Sequence, residues 1–149
     1  MTTTPDGLLL VAAVLVPFVG VLAGFALGGR NAQRVAMLTI LAGVGIAIAI
    51  AAAMARSGEG LVYLLGGWSP PLGIALRADG LSAAMMLTTA IVITGAGLFA
   101  HADFAAKPGE PETRGSLVFW TLLIAVWGAM NLVVMSRDLF NLYVALELL

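Results

Sequence analysis

Apolar residues in this chain fall into long uncharged blocks separated by short polar segments. Leu8–Leu27, Val35–Ala55, Leu81–Ala100 and Leu117–Met135 carry no Asp, Glu, Lys or Arg. Each is close to the roughly 20 residues that a helix needs to cross the hydrocarbon layer. A further apolar block, 139–149, follows Asp138 and reads as the start of a fifth helix, incomplete at this length. The pattern predicts an all-α polytopic membrane protein with four transmembrane helices plus the start of a fifth.

The spans carry internal marks. Pro17 lies inside the first. It removes a backbone donor and frees a carbonyl, which a membrane helix tolerates when a neighbour re-satisfies that group. Gly20, Gly24 and Gly28 recur every four residues, forming a stripe for close helix approach. Gly45, Ala49 and Ala53 form a second stripe of the same kind. Thr88, Thr89 and Thr94 can bond back to their own helix. In the fourth span, Trp120 suits the interface, Trp127 suits deeper packing, and Asn131 can hydrogen-bond across helices.

Residues 56–79 break the pattern. Leu61–Leu65 and Ile74–Ala78 alternate, and Gly66-Gly67-Trp68-Ser69-Pro70-Pro71-Leu72-Gly73 between them is dense in turn formers. This predicts a short β-hairpin at about 61–78, between the second and third helices, lying at the membrane surface with Trp68 as an interfacial anchor.

Composition narrows the classes. The chain is 61% hydrophobic and 10% charged, with mean hydropathy +1.06; soluble domains are about 45–50% apolar and about 25% charged. No soluble core needs to be sought. Seven scattered Lys/Arg form no basic patch, which excludes nucleic acid as a partner. The absence of cysteine excludes thiolate metal and Fe–S sites, and the single histidine, His101, builds no metal site alone. Met1–Gly7 lacks the positive region of a signal peptide, so the first span reads as a retained helix.

Connector charges bear on orientation. Arg30 and Arg34 follow the first span, and Lys107 and Arg114 follow the third, in a polar connector 101–115 that also holds Asp103, Pro108, Glu110, Pro111 and Glu112. Arg56, Arg77 and Arg137 lie on the other side. The positive-inside rule thus favours an outward N-terminus, with the hairpin and Arg137-Asp138 outside.

The candidate chemistry lies in the fifth helix. Glu147 is eight residues beyond Leu139, about 12 Å along the axis and so near mid-membrane. An ionisable group there is a functional-site hypothesis. At 100° per residue, Phe140, Tyr143 and Glu147 share a face, while Asp138 lies on the opposite side. Burial raises a carboxyl pKa and a nearby cation lowers it, so a mobile cation would switch the proton on Glu147. Two readings of Glu147 stand: a proton carrier, and a neutral acid that bonds across helices. Tyr143 can donate to it or simply pack. Asp79 and Asp138 suit helix N-caps, with direct ion transfer as the other reading of Asp79 and an Arg137 pair open to Asp138. His101 is either an interfacial residue or a proton carrier near neutral pH. The apolar spans contain no cation to pair with Glu147.

Two motifs carry a resemblance. Gly66-Gly67-Trp68-Ser69-Pro70-Pro71-Leu72-Gly73-Ile74, followed by Ala78-Asp79-Gly80-Leu81-Ser82, is similar to the segment entering the third helix of antiporter-like membrane subunits. These subunits occur in Mrp-type cation/proton antiporters, respiratory complex I and membrane-bound hydrogenases. Asp138-Leu139-Phe140-Asn141-Leu142-Tyr143-Val144 with Glu147 resembles their fifth-helix motif, in wording nearest the D-type branch of the Mrp antiporters. The resemblance implies about fourteen helices, containing two inverted five-helix repeats, each with a broken helix. It implies that Glu147 pairs with a lysine two helices later, a residue this chain does not contain. The chain resembles about the first third of such a subunit, so either it is a truncated piece or a second polypeptide completes it, and autonomous transport is not expected.

The function this implies is proton translocation within a multi-subunit cation/proton antiporter of the cell inner membrane. Its partners would be other membrane subunits, the lipid bilayer, protons, and sodium or potassium. No cofactor, metal or catalytic chemistry of its own is expected. The alternatives are a proton-pumping antiporter-like subunit of a respiratory NADH:quinone oxidoreductase or membrane-bound hydrogenase, and a non-conducting structural membrane module.

Overall fold

A computed structural model describes residues 2–68, 73–104 and 114–149. The turn residues Ser69–Leu72 and the connector residues Lys107, Glu110 and Glu112 lie outside the described residues. The helices are α1 (Leu8–Leu27), α2 (Gly29–Ser57), α3 (Gly80–Asp103), α4 (Arg114–Met135) and α5 (Leu139–Glu147). The first four are long and apolar enough to cross a membrane. The strands β1 (Leu61–Leu64) and β2 (Ala75–Ala78) pair antiparallel in the register Leu61↔Ala78 to Leu64↔Ala75. The chain is a multi-pass membrane protein with a two-stranded hairpin between its second and third helices.

Connection lengths explain the arrangement. One residue, Gly28, separates α1 from α2, so the two helices run antiparallel and pack together. Gly28 has φ +55°, a conformation that ends α1 at little steric cost only because no Cβ is present. It therefore serves as a junction rather than as the last rung of the glycine stripe. Gly20 does serve the stripe: a Cβ there would stand 2.4 Å from the Thr39 Oγ1 of α2. On α2 the buried line is Gly43, Ala47, Ile50 and Ala53, not Gly45, Ala49 and Ala53. A Cβ on Gly43 would stand 2.2 Å from the Trp127 ring of α4, whereas one on Gly45 would meet nothing within 4 Å.

Two apolar clusters fill the interior. One joins Ile40, Ala90, Ile93, Trp120, Ile124 and Trp127 across α2, α3 and α4. Trp120 is fully buried there, in edge contact with Phe119, which corrects the interfacial placement. Its ring fills the space between α2, α3 and α4, where a Cβ on Gly97 would stand 3.8 Å from it. Trp127 is buried, as its depth suggests. The other cluster joins Leu10, Ile50, Met86 and Met135 to Leu61, Leu76 and Ala78 of the hairpin.

The hairpin thus caps one end of the bundle with its inner face built into the core, while Trp68 is 63% exposed. Both of its edges are tied. The Thr4 backbone N–H donates to the Val62 carbonyl at 2.9 Å, and the Val62 N–H donates to Thr4 Oγ1 at 3.1 Å. On the other edge Leu76 bridges to Ser136, in the connection between α4 and α5.

Candidate functional site

α5 starts at the hairpin end of the bundle, and its first turn is fixed by Asp138. The Asp138 Oδ1 accepts from the Asn141 backbone N–H at 2.8 Å, and its Oδ2 accepts from the Asn141 side-chain amide. Asn141 and Ala145 turn inward, while Phe140, Tyr143 and Glu147 turn outward. Tyr143 and Glu147 lie one turn apart on this outward face, and their side chains interact. Among the described residues no ion pair joins Asp138 to Arg137.

Glu147 is exposed, because α5 presents it away from the four spanning helices. These helices alone do not bury the carboxylate, and among the described residues no cation faces it. Chemically, the site is a carboxylate with a phenolic partner on an outward helix face, about 12 Å from the start of α5. Among the described residues it has no charged partner.

Asn131 and His101 are not brought to Glu147. His101 lies in the last turn of α3, exposed, at the end of the bundle opposite the hairpin. Asn131 is 4% exposed and faces α1, where its Nδ2 donates to the Ala13 carbonyl at 2.9 Å. That carbonyl is the one a helical residue 17 would normally bond, and residue 17 is proline. Both halves of this contact stand in the sequence; what sequence reasoning missed was that they meet. The Asn131 Oδ1 and the indole N–H groups of Trp120 and Trp127 are buried without a partner among the described residues.

Asp79 caps α3. Its Oδ1 accepts from the Ser82 backbone N–H at 3.0 Å and lies 3.1 Å from the Ser82 hydroxyl. The same hydroxyl is 3.0 Å from the Val134 carbonyl of α4, so its one proton serves either acceptor. The Ser82 backbone donor, then its hydroxyl, hold the Asp79 carboxyl below its ordinary value; Leu81 and Arg77 add to this, and slight burial opposes it. No group of three or more His, Cys, Asp or Glu among the described residues could hold a metal ion.

No protein-family model matches the chain. It is 39% identical over 85 residues to the D-type subunit of the Na(+)/H(+) antiporter of Bacillus subtilis (strain 168), a match covering 57% of this chain and 16% of that protein. Among solved structures, it superposes on a chain of the membrane-bound sulfane sulfur reductase, an archaeal respiratory membrane complex, with TM-score 0.72 and 23% identity over 96% of its length. It also superposes on a chain of the Mrp complex from Dietzia sp. DQ12-45-1b, with TM-score 0.68 and 25% identity over 98% of its length. The chain spans 28% and 26% of those two chains respectively. These relationships bear out the resemblance to antiporter-like membrane subunits that the two sequence motifs carry.

Proposed function

We propose, from this kinship with a D-type antiporter subunit, that the chain supplies the first helices of a proton-translocating subunit in a multi-subunit cation/proton antiporter. The 39% identity to the Bacillus subtilis protein is the observation that carries this reading. The likeness to the sulfane sulfur reductase chain, at 23% identity, speaks for the fold and does not favour a redox-driven pump over an antiporter. The subunit sits in the cell inner membrane beside other membrane subunits and exchanges protons for sodium or potassium.

Within it, Glu147 is the group that gains and loses the proton. Its outward position suits a partner on a further helix. A lysine approaching Glu147 favours the charged carboxylate, and its withdrawal favours the protonated one. Tyr143, one turn earlier on the same face, is positioned to donate to Glu147. Asp79 and Asp138 hold helix starts, and Asn131 holds α4 to α1, so these three position the bundle and do not carry protons. His101, about 20 Å from Glu147 along the membrane normal, has no part in the transfer.

Glu147→Gln in the full-length protein tests this. Proton flux in vesicles should be lost while the complex still assembles. Undiminished flux with normal assembly would overturn the proton-carrier role. Loss of assembly itself would favour the non-conducting structural module.

A further inference from the structure

On the outer side of the α1–α2 pair, a groove of about 350 Å³ runs between the helices. Gly20 and Thr39 are its buried lining, the small Ala23 and Ala42 leave room beside them, and exposed side chains such as Val19 and Leu38 form its rims. Gly20 sets its depth by letting α1 close onto Thr39. The lining has one hydroxyl, Thr39 Oγ1, and it already donates to the Val35 carbonyl of its own helix at 2.8 Å. The groove therefore offers no free hydrogen-bond donor and suits a purely apolar occupant.

Its position narrows the occupant. It extends along α1 from Leu15 to Ala23, about 12 Å at 1.5 Å per residue, while one leaflet's share of the hydrocarbon is roughly 15 Å. It begins near the α1–α2 junction, at one membrane surface, and ends near mid-bilayer. At its mouth stands Arg34, next to the lining residue Val35 and one turn before Leu38 on the same stripe. Arg34 is exposed and has no ion-pair partner among the described residues.

We propose that this groove holds one acyl chain of an anionic phospholipid from the leaflet at the α1–α2 junction, with the lipid phosphate on Arg34. A leaflet-length apolar slot with a guanidinium at its surface end, unpaired among the described residues, matches the two parts of that molecule. The site is independent of Glu147 and of the transport reading; it requires that the chain spans a membrane and that this face of α1 and α2 meets lipid.

The test uses the full-length protein, purified in mild detergent with phosphatidylglycerol or phosphatidylcholine and weighed by native mass spectrometry. Wild type should retain one phosphatidylglycerol more than the Ala23→Leu/Ala42→Leu variant, whose groove is filled. Arg34→Gln, a surface change that spares the fold, should lower phosphatidylglycerol retention about fivefold and phosphatidylcholine retention less, because the choline cation offsets the phosphate that Arg34 meets. Inorganic phosphate should not displace the lipid. Equal retention in the filled variant, or no headgroup effect of Arg34→Gln, would overturn the proposal. So would loss of native assembly on filling the groove, which would assign it to a protein segment.

Discussion

The Asn131 side-chain amide donates to the Ala13 carbonyl at 2.9 Å, which is the acceptor left open by Pro17 four residues later. A proline inside a helix removes the i→i−4 bond and leaves a carbonyl that hydrocarbon cannot satisfy. Asn131 supplies the missing donor from a different helix, and Gly128, one turn earlier on α4, lets Pro17 fit: a Cβ there would stand 3.0 Å from the proline Cβ. Asn131→Leu in the full-length protein should cost about 1–3 kcal/mol, because it orphans a buried carbonyl. In a Pro17→Ala background the helix makes its own bond, so the same substitution should cost much less. A double-mutant cycle of detergent unfolding reads the coupling; strict additivity would show that Asn131 does not serve the proline carbonyl.

Gly43 and Gly45 make a paired prediction. Gly43→Ala drives a methyl to 2.2 Å from a Trp127 ring that is 1% exposed and cannot retreat. Overpacking of this kind costs about 1–3 kcal/mol. Gly45→Ala meets open space in the same helix and should be neutral or stabilise by up to about 1 kcal/mol, through helix propensity. Thermal unfolding of the two full-length variants side by side checks it; equal melting temperatures would contradict this packing of α2 on α4.

The contrast between these glycines shows what the sequence could express. The spans were legible because uncharged runs of spanning length have few other uses, and the hairpin was legible from alternation flanking a turn-rich segment. The rotation of α2 about its axis was not, because an apolar helix has no polar face to mark its outside, and only the Trp127 ring on α4 distinguishes Gly43 from Gly45. Trp120 was misplaced for a related reason: an amphipathic ring near a helix end suits an interface and a core equally. At the candidate site, the shared face of Tyr143 and Glu147 followed from helical spacing alone. The surroundings of Glu147 did not, since burial depends on groups outside α5.

Thr4 pins the N-terminal segment to the hairpin. Its hydroxyl oxygen accepts from the Val62 N–H and its own N–H donates to the Val62 carbonyl. Thr4→Val keeps the shape and removes the acceptor, leaving the partly buried Val62 N–H unpaired. The expected loss is about 1 kcal/mol, confined to this edge. Hydrogen exchange should therefore quicken at Val62 while the α4 amides keep their protection; uniform quickening would mean that the hairpin and bundle open as one unit.

Asp79 gives the chain a defined response to acid. Its carboxyl is held below the ordinary 3.8 by the Ser82 backbone and hydroxyl donors. A depressed carboxylate adds stability that is present above its unfolded pKa and fades as pH falls through the folded one. The α3 cap should thus be intact at neutral pH and weaken only below about pH 4. Asp79→Asn retains an acceptor for the helix start but cannot titrate, so it should flatten the acid limb of the stability curve. Asp79→Ala should lose about 1 kcal/mol at neutral pH. Unfolding of the three full-length proteins between neutral pH and about pH 3 separates the cases. An acid limb unchanged in Asp79→Asn would assign the acid response to another carboxylate.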